Sequence, residues 1–226
     1  MNIRWDEITE DSLSHIDKVF KLYDLVFPIV VREPHTIFFN GLHYARHRKL
    51  NNFRFLIGFE GEELISFATG HYLEEVNSGF IVYIATNPHA RSKGRGSKTL
   101  IKMEELITED AIAAGNSSLN AIILETETED PVHTKEEKDN CKKRNDFFKR
   151  NGFKKSEGIS YLQPPLHTKD KAVQLNLFIK NVQKNEQDIK KIIYAIYKEK
   201  YYLVNGIDKE VLNNCLIKME LGKKLI

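Results

Sequence analysis

The stretch from Ile81 to Leu100 constrains this chain most. An apolar run ending in Ala85 and Thr86 leads into Arg91, Ser92, Lys93, Gly94, Arg95 and Gly96, and a helical pattern follows. That order reads as a strand, a tight turn and a helix. Glycines let a backbone approach a phosphate closely, and the free amides and positive dipole end of a helix N terminus supply the donors a phosphate needs. The stretch therefore predicts a pyrophosphate-bearing ligand.

Which ligand is narrowed by what the turn lacks. Gly96 is followed by Ser97 and Lys98, so there is no Gly-Lys-Ser/Thr ending, and no acidic residue closes a neighbouring strand as in a dinucleotide fingerprint. The spacing of Arg91, Gly94 and Gly96 resembles the acetyl-CoA loop of the GCN5-related N-acetyltransferase (GNAT) family. A second stretch, Arg144, Phe147 and Phe148 followed by Gly152 and Phe153, is similar to that family's late helix and its Gly-Phe exit. The two motifs stand in the family's order and at its usual separation.

A net charge of +2 argues against a dedicated nucleic-acid binder, and the short basic clusters at Arg46–Lys49, Lys142–Arg144 and Lys154–Lys155 read as solvated surface. Cys141 and Cys215 are far apart and fit no metal or redox pattern, which suits a reducing compartment. Trp5, Asp6 and Glu7 follow Met1 closely, without the basic start or apolar core of a signal peptide, and no apolar run approaches membrane-spanning length. The expectation is a cytoplasmic protein without membrane or nucleic-acid partners.

Along the chain, apolar spacing predicts helices over 12–25 and from Pro34 toward Leu50. Strands are expected over 53–59 and 64–72, with a hairpin turn at Glu60, Gly61 and Glu62, and again over 80–86. Leu100, Met103, Ile107, Ala111 and Ala114 extend the helix after the turn until Gly115 stops it. A strand over 119–126 follows, then a long polar loop over 127–138 containing Pro131. A helix from about Glu136 to Arg150 comes next, and strands over 157–163 and 173–180 close the series. The resemblance covers roughly residues 1–180. It implies an α/β fold with a mixed sheet, splayed between central parallel strands Phe80–Thr86 and Leu119–Thr126 so as to admit a pantetheine arm. Residues 181–226 form a helical C-terminal extension outside the family's minimal pattern, open to packing on the body, completing a substrate wall or mediating self-association as a homodimer.

Acetyl transfer to an amine needs a neutral nucleophile, a stabilised oxyanion and a route for the thiolate to leave. As the resemblance implies, backbone donors near Ile84, Ala85 and Thr86 pin the pantetheine arm and hold the thioester oxygen. The diphosphate rests on amides from Ser92 to Ser97, with charge from Arg91 and Lys93; Arg95 is allowed a solvent-facing side chain. Glu125 and Glu127, two residues apart on the strand that forms the other side of the splay, are the candidate bases, with solvated carboxylates as the alternative. Leu124-Glu125 is similar to a Leu-Glu-Val run of several ribosomal-protein N-terminal acetylases. The family's frequent acid is a Tyr, but Phe148 holds that place and has no proton to give. Tyr161 is the preferred substitute, with Tyr83 and Cys141 also open. Tyr161 to Leu166, with Leu175, Leu177 and Phe178, resembles an ending found in bacterial members of the family.

The eight histidines form no metal-binding spacing, although His35, His43 and His47 can share a helical face at four-residue steps. No metal is expected. The resulting expectation is an acetyl-CoA-dependent N-acetyltransferase acting on a small-molecule or peptide primary amine. The alternative, kept open by Phe148, is an acyl-CoA-binding sensor without turnover. A nucleotide-binding protein is poorly supported, because the turn lacks the Gly-Lys-Ser/Thr ending that ligates magnesium.

Overall fold

The computed structural model describes residues 2–91, 93–128, 134–167, 170–182 and 188–222. The chain gathers into two compact units, Met1–Leu119 and Asn120–Ile226.

The first unit runs β1 (Arg4–Glu7), α1 (Ile16–Val26), α2 (His35–His47), β2 (Asn52–Glu60), β3 (Glu63–Leu73), β4 (Ser78–Thr86) and α3 (Arg95–Ala113). Its four strands pair antiparallel in chain order. Gly61, with φ of 60°, turns the β2–β3 hairpin where the acidic tripeptide predicts it. Every residue of β3 after Glu63 is buried, as expected for a strand covered on both faces. On one face, Val19, Phe20 and Tyr23 of α1 and Phe38 and Leu42 of α2 pack into a cluster with Phe55, Ile57, Phe59, Phe67 and Tyr83.

α3 packs closely against β3 and β4. Ile107 lies where a Cβ on Gly70 or Gly79 would meet it at 3.1 or 3.0 Å, so these glycines set the depth at which the helix docks. Near the helix's far end, Arg54 of β2 donates to Asp110 at 2.6 Å and to Glu7 at 3.1 Å. β1 was not anticipated, because Arg4-Trp5-Asp6-Glu7 has no apolar run. It exists through its register with β2, in which Trp5 lies opposite Gly58 and its ring fills the space a Cβ there would occupy.

The second unit contains β5 (Ala121–Glu127), α4 (Lys135–Arg150), β6 (Lys154–Lys155), β7 (Leu162–Gln163), β8 (Val173–Asn181), α5 (Ile189–Ile196) and α6 (Lys209–Lys218). β8 pairs antiparallel with β5 from Leu175 to Asn181 and also with β6 and β7. Thr134 and Glu137 form a capping box that starts α4, and Phe148, Phe153 and Phe178 make an aromatic group behind it. The strand expected over 157–163 shrinks to Leu162–Gln163. Gly158 there adopts a left-handed φ of 84°, which breaks the extended run. The two lysines of β6 carry no strand signal and are ordered by pairing with Phe178 and Ile179.

α5 continues into a π-helical segment, Tyr197–Val204, before Gly206 and α6. Both segments are integral to the second unit. Tyr197 Oη donates to the Leu162 carbonyl, the Leu162 amide lies 3.2 Å from Met219 Sδ, and Ile192, Ile193, Ile196 and Leu216 are buried.

Phe55 is fully buried in the aromatic face of the first unit. Phe55→Ala should cost about 3–5 kcal/mol in urea unfolding, as large-to-small changes in packed cores do. A loss below about 1 kcal/mol would mean that this face is loosely packed.

Candidate functional site

The turn before α3 is held from behind by its own arginine. Arg95 is buried, not solvent-facing as the sequence allowed. Its Nε donates to Glu60 Oε1 at 2.8 Å, its Nη2 donates to Glu60 Oε2, and its Nη1 donates to the Ala90 carbonyl at 2.7 Å. One guanidinium therefore ties the residue before the turn, the hairpin end of β2 and the first residue of α3 together. Such a bidentate pair fixes geometry as well as supplying charge-assisted bonds. Thr99, one turn later, donates to Ser66 Oγ of β3 at 2.8 Å.

What this leaves outward is backbone. Gly94 has φ of 69°, nothing lies within 4 Å of where its Cβ would be, and no described side chain caps α3. The first turn holds no acidic residue. The amides of Arg95, Gly96 and Ser97 thus face the end of a helix dipole without a carboxylate competing for them. Arg91 and Lys93 are exposed beside them, Gly96 and Ser97 are partly exposed, and Ser92 lies outside the described residues. Arg95 can contribute its amide to a ligand here while its side chain is engaged with Glu60.

β4 delivers the chain to this turn. The register with β3 slips between Thr69 and Gly70, leaving Val82 as the extra residue of a bulge. Bulges re-aim side chains and interrupt pairing. Beyond it Ile84 and Thr86 are partly exposed while Tyr83 and Ala85 are buried. Asn87 then leaves the strand, its amide bonded to the Ile65 carbonyl at 2.8 Å and its Oδ1 accepting from the His89 amide.

In the second unit, Glu125 and Tyr161 come together. The Tyr161 hydroxyl donates to Glu125 Oε1, Tyr201 Oη lies 2.9 Å from both carboxylate oxygens, and Gln163 Nε2 donates to Oε2 at 3.1 Å. Burial, and then the Glu125 charge, push the Tyr161 phenol well above its ordinary range. Tyr161 is therefore held protonated and its proton is aimed at Glu125. Tyr201 and Gln163 were missed by sequence reasoning: Tyr201 is one of several tyrosines in an amphipathic tail, with nothing local to mark it.

Glu127 does not join this group. Arg144 of α4 donates to its Oε2, while its carbonyl accepts from Cys141 Sγ at 2.9 Å and from Asn176 Nδ2 at 2.9 Å. Phe148 is buried among aromatic rings. Tyr83 donates to the Val31 carbonyl at 2.9 Å inside the first unit. The acidic pair Glu129–Asp130 and Pro131 lie outside the described residues. Of the three histidines placed on one face, His35 stands apart, stacked on Phe20 and bonded to Asp24 at 3.2 Å, whereas His43 and His47 meet Glu10.

A family model described as the acetyltransferase (GNAT) family matches residues 16–130, just over half of the chain, and spans the whole turn. This chain belongs to the GNAT family. Solved structures agree on the fold. A protein from Bacteroides thetaiotaomicron, described as of the GNAT family, is 24% identical with a TM-score of 0.65, covering 91% of this chain and 99% of its own. Arabidopsis thaliana Naa50, in complex with the bisubstrate analogue CoA-Ac-MVNAL, is 12% identical with a TM-score of 0.52, covering 80% and 99%. A Bacillus subtilis acetyltransferase in complex with CoA is 13% identical with a TM-score of 0.51, covering 80% and 100%. No curated protein matches the sequence. Family membership implies acyl transfer from an acyl-CoA, and no described helix is long and apolar enough to cross a membrane.

The hydrogen bond from Arg95 holds Glu60 below its ordinary value of 4.5. A carboxylate depressed in the folded state adds stability that is present above its unfolded pKa and lost as pH falls. Wild type should therefore melt above Glu60→Gln at pH 7, with the difference closing as pH drops below about 4.5. A difference independent of pH in thermal scans would contradict the Arg95–Glu60 pair.

Proposed function

We propose that this chain is an acetyl-CoA-dependent N-acetyltransferase of the cytoplasm, in which a primary amine attacks the thioester directly within a ternary complex. The observation that carries the reading is the uncapped N terminus of α3, opened by Gly94 and braced by Arg95. Diphosphate oxygens accept from the amides of Gly94 to Ser97, and Arg91 and Lys93 add charge. Backbone donors around Ile84, Ala85 and Thr86 take the pantetheine arm and the thioester oxygen, whose charge grows as the amine nitrogen bonds to the carbonyl carbon.

Glu125 is the proposed base. It accepts the proton of the incoming amine, the C–N bond forms, the C–S bond breaks, and coenzyme A leaves as thiolate. Gln163 Oε1 is buried without a partner among the described residues, beside Glu125. Together the two side chains offer acceptors to an ammonium group, which supports a cationic amine, small or peptide-borne, as acceptor. Tyr161 and Tyr201 act as positioning residues that tune the basicity of Glu125, and Glu127 is the weaker candidate because Arg144 engages it.

The second reading, a sensor that binds acyl-CoA without turnover, has its own support. Phe148 is buried in place of a proton donor, and Tyr83, Tyr161 and Cys141 all spend their protons on internal acceptors.

Coenzyme A release assayed over a panel of amines separates the two. The enzyme should turn over at least one cationic amine, and Glu125→Gln should lower kcat by about 10²–10⁴-fold. Tyr161→Phe removes a donor from the carboxylate, so the acidic limb of its kcat profile should move to higher pH. Acetyl-CoA binding with no amine-dependent turnover favours the sensor, and full activity in Glu125→Gln removes that residue from the base role.

A further inference from the structure

Three metal-ligating side chains converge in the first unit, apart from the turn before α3. His43 and His47 stand one turn apart on α2 with ring centroids 4.3 Å apart. Glu10 reaches them from the segment between β1 and α1, and His43 Nδ1 donates to its Oε1 at 2.8 Å. One ligand atom from each of the three lies within 4.8 Å of the others. The segment bearing Glu10 is fixed: Thr9 and Ser12 exchange backbone hydrogen bonds at 3.1 Å, and the Ile8 amide bonds to the Phe55 carbonyl at 2.9 Å.

The donor set is two imidazole nitrogens and one carboxylate oxygen, the combination that suits zinc and its neighbours rather than calcium or magnesium. Around a tetrahedral ion with bonds of about 2.1 Å, ligand atoms stand about 3.4 Å apart. Closing from the observed spacing therefore takes about an ångström of side-chain motion, and the His43 side chain is 65% exposed and has the room. Arg46 is the one cation at the cluster among the described residues. Its Nη1 lies 3.4 Å from Glu10 Oε2 and is paired with Asp11, so the two carboxylates outweigh it and Glu10 Oε1 faces the histidines.

We propose that Glu10, His43 and His47 form a binding site for a divalent transition metal of the zinc class. The ion replaces the hydrogen bond between His43 and Glu10 and clips the segment before α1 to α2, with water completing its coordination. The site is independent of acetyl transfer and stands or falls without it.

The test uses the full chain without a histidine tag. Calorimetric titration with Zn²⁺ should show one equivalent bound, and Co²⁺ should develop visible absorption at the same stoichiometry. His43→Ala and His47→Ala should each weaken binding by at least about tenfold, the scale at which even indirect metal partners act. Zn²⁺ should raise the thermal midpoint of wild type and not of His43→Ala, because a ligand of the folded state stabilises it. The absence of saturable binding, or an affinity unchanged from wild type in either histidine variant, overturns the site. Unchanged affinity in Glu10→Gln overturns the clip by reducing it to a surface histidine pair.

Discussion

The guanidinium of Arg95 is the contact on which the turn before α3 depends. A turn built from Ser, Lys and two glycines has little side-chain packing of its own, and glycine carries the largest conformational entropy in the unfolded chain. Arg95 answers this by spanning the turn, from the first residue of α3 back to the Ala90 carbonyl, while Glu60 holds its other edge. The basic residue nearest the helix end is thereby removed from ligand contact and given to the scaffold. Arg91 and Lys93 remain as the exposed charges, and the backbone amides remain as the donors. Preorganised donors of this kind bind an anion without first having to be ordered.

The second unit gathers side chains around a carboxylate. Glu125 accepts hydrogen bonds from two phenols and an amide. These hydrogen bonds fix the position of the carboxylate. Glu127, two residues on, is paired with Arg144. Two carboxylates on one strand thus have different surroundings: phenols and an amide bond to one, and a guanidinium to the other. The π-helical segment matters here because it carries both Tyr197 and Tyr201 inward, and π turns recur where helices present functional side chains.

Local pattern carried much of this into view before any coordinates. The periodicity of α3, its glycine-rich start, the β2–β3 hairpin and the apolar strand before Glu125 are all properties of short windows, and each forms within a few residues of where the pattern puts it. The illegible parts depend on distant partners. Arg95 turns inward for a glutamate 35 positions earlier, and Glu125 is gripped by Tyr201, 76 positions later. β1 and β6 exist through pairing, with no hydrophobic run to announce them. The histidine face on α2 was visible as spacing, but the side chain that completes the cluster, Glu10, stands 33 residues before His43 and gives no local sign.

The central claim is that the amides opening α3 bind the diphosphate of an acyl-CoA. Backbone amide resonances followed by NMR during titration with acetyl-CoA test it most directly. The account predicts that Gly94, Gly96 and Ser97 shift downfield saturably and together, as new hydrogen bonds to phosphate require, and that inorganic salt at matched ionic strength leaves them in place. Saturable binding of acetyl-CoA with these three resonances unmoved would contradict it.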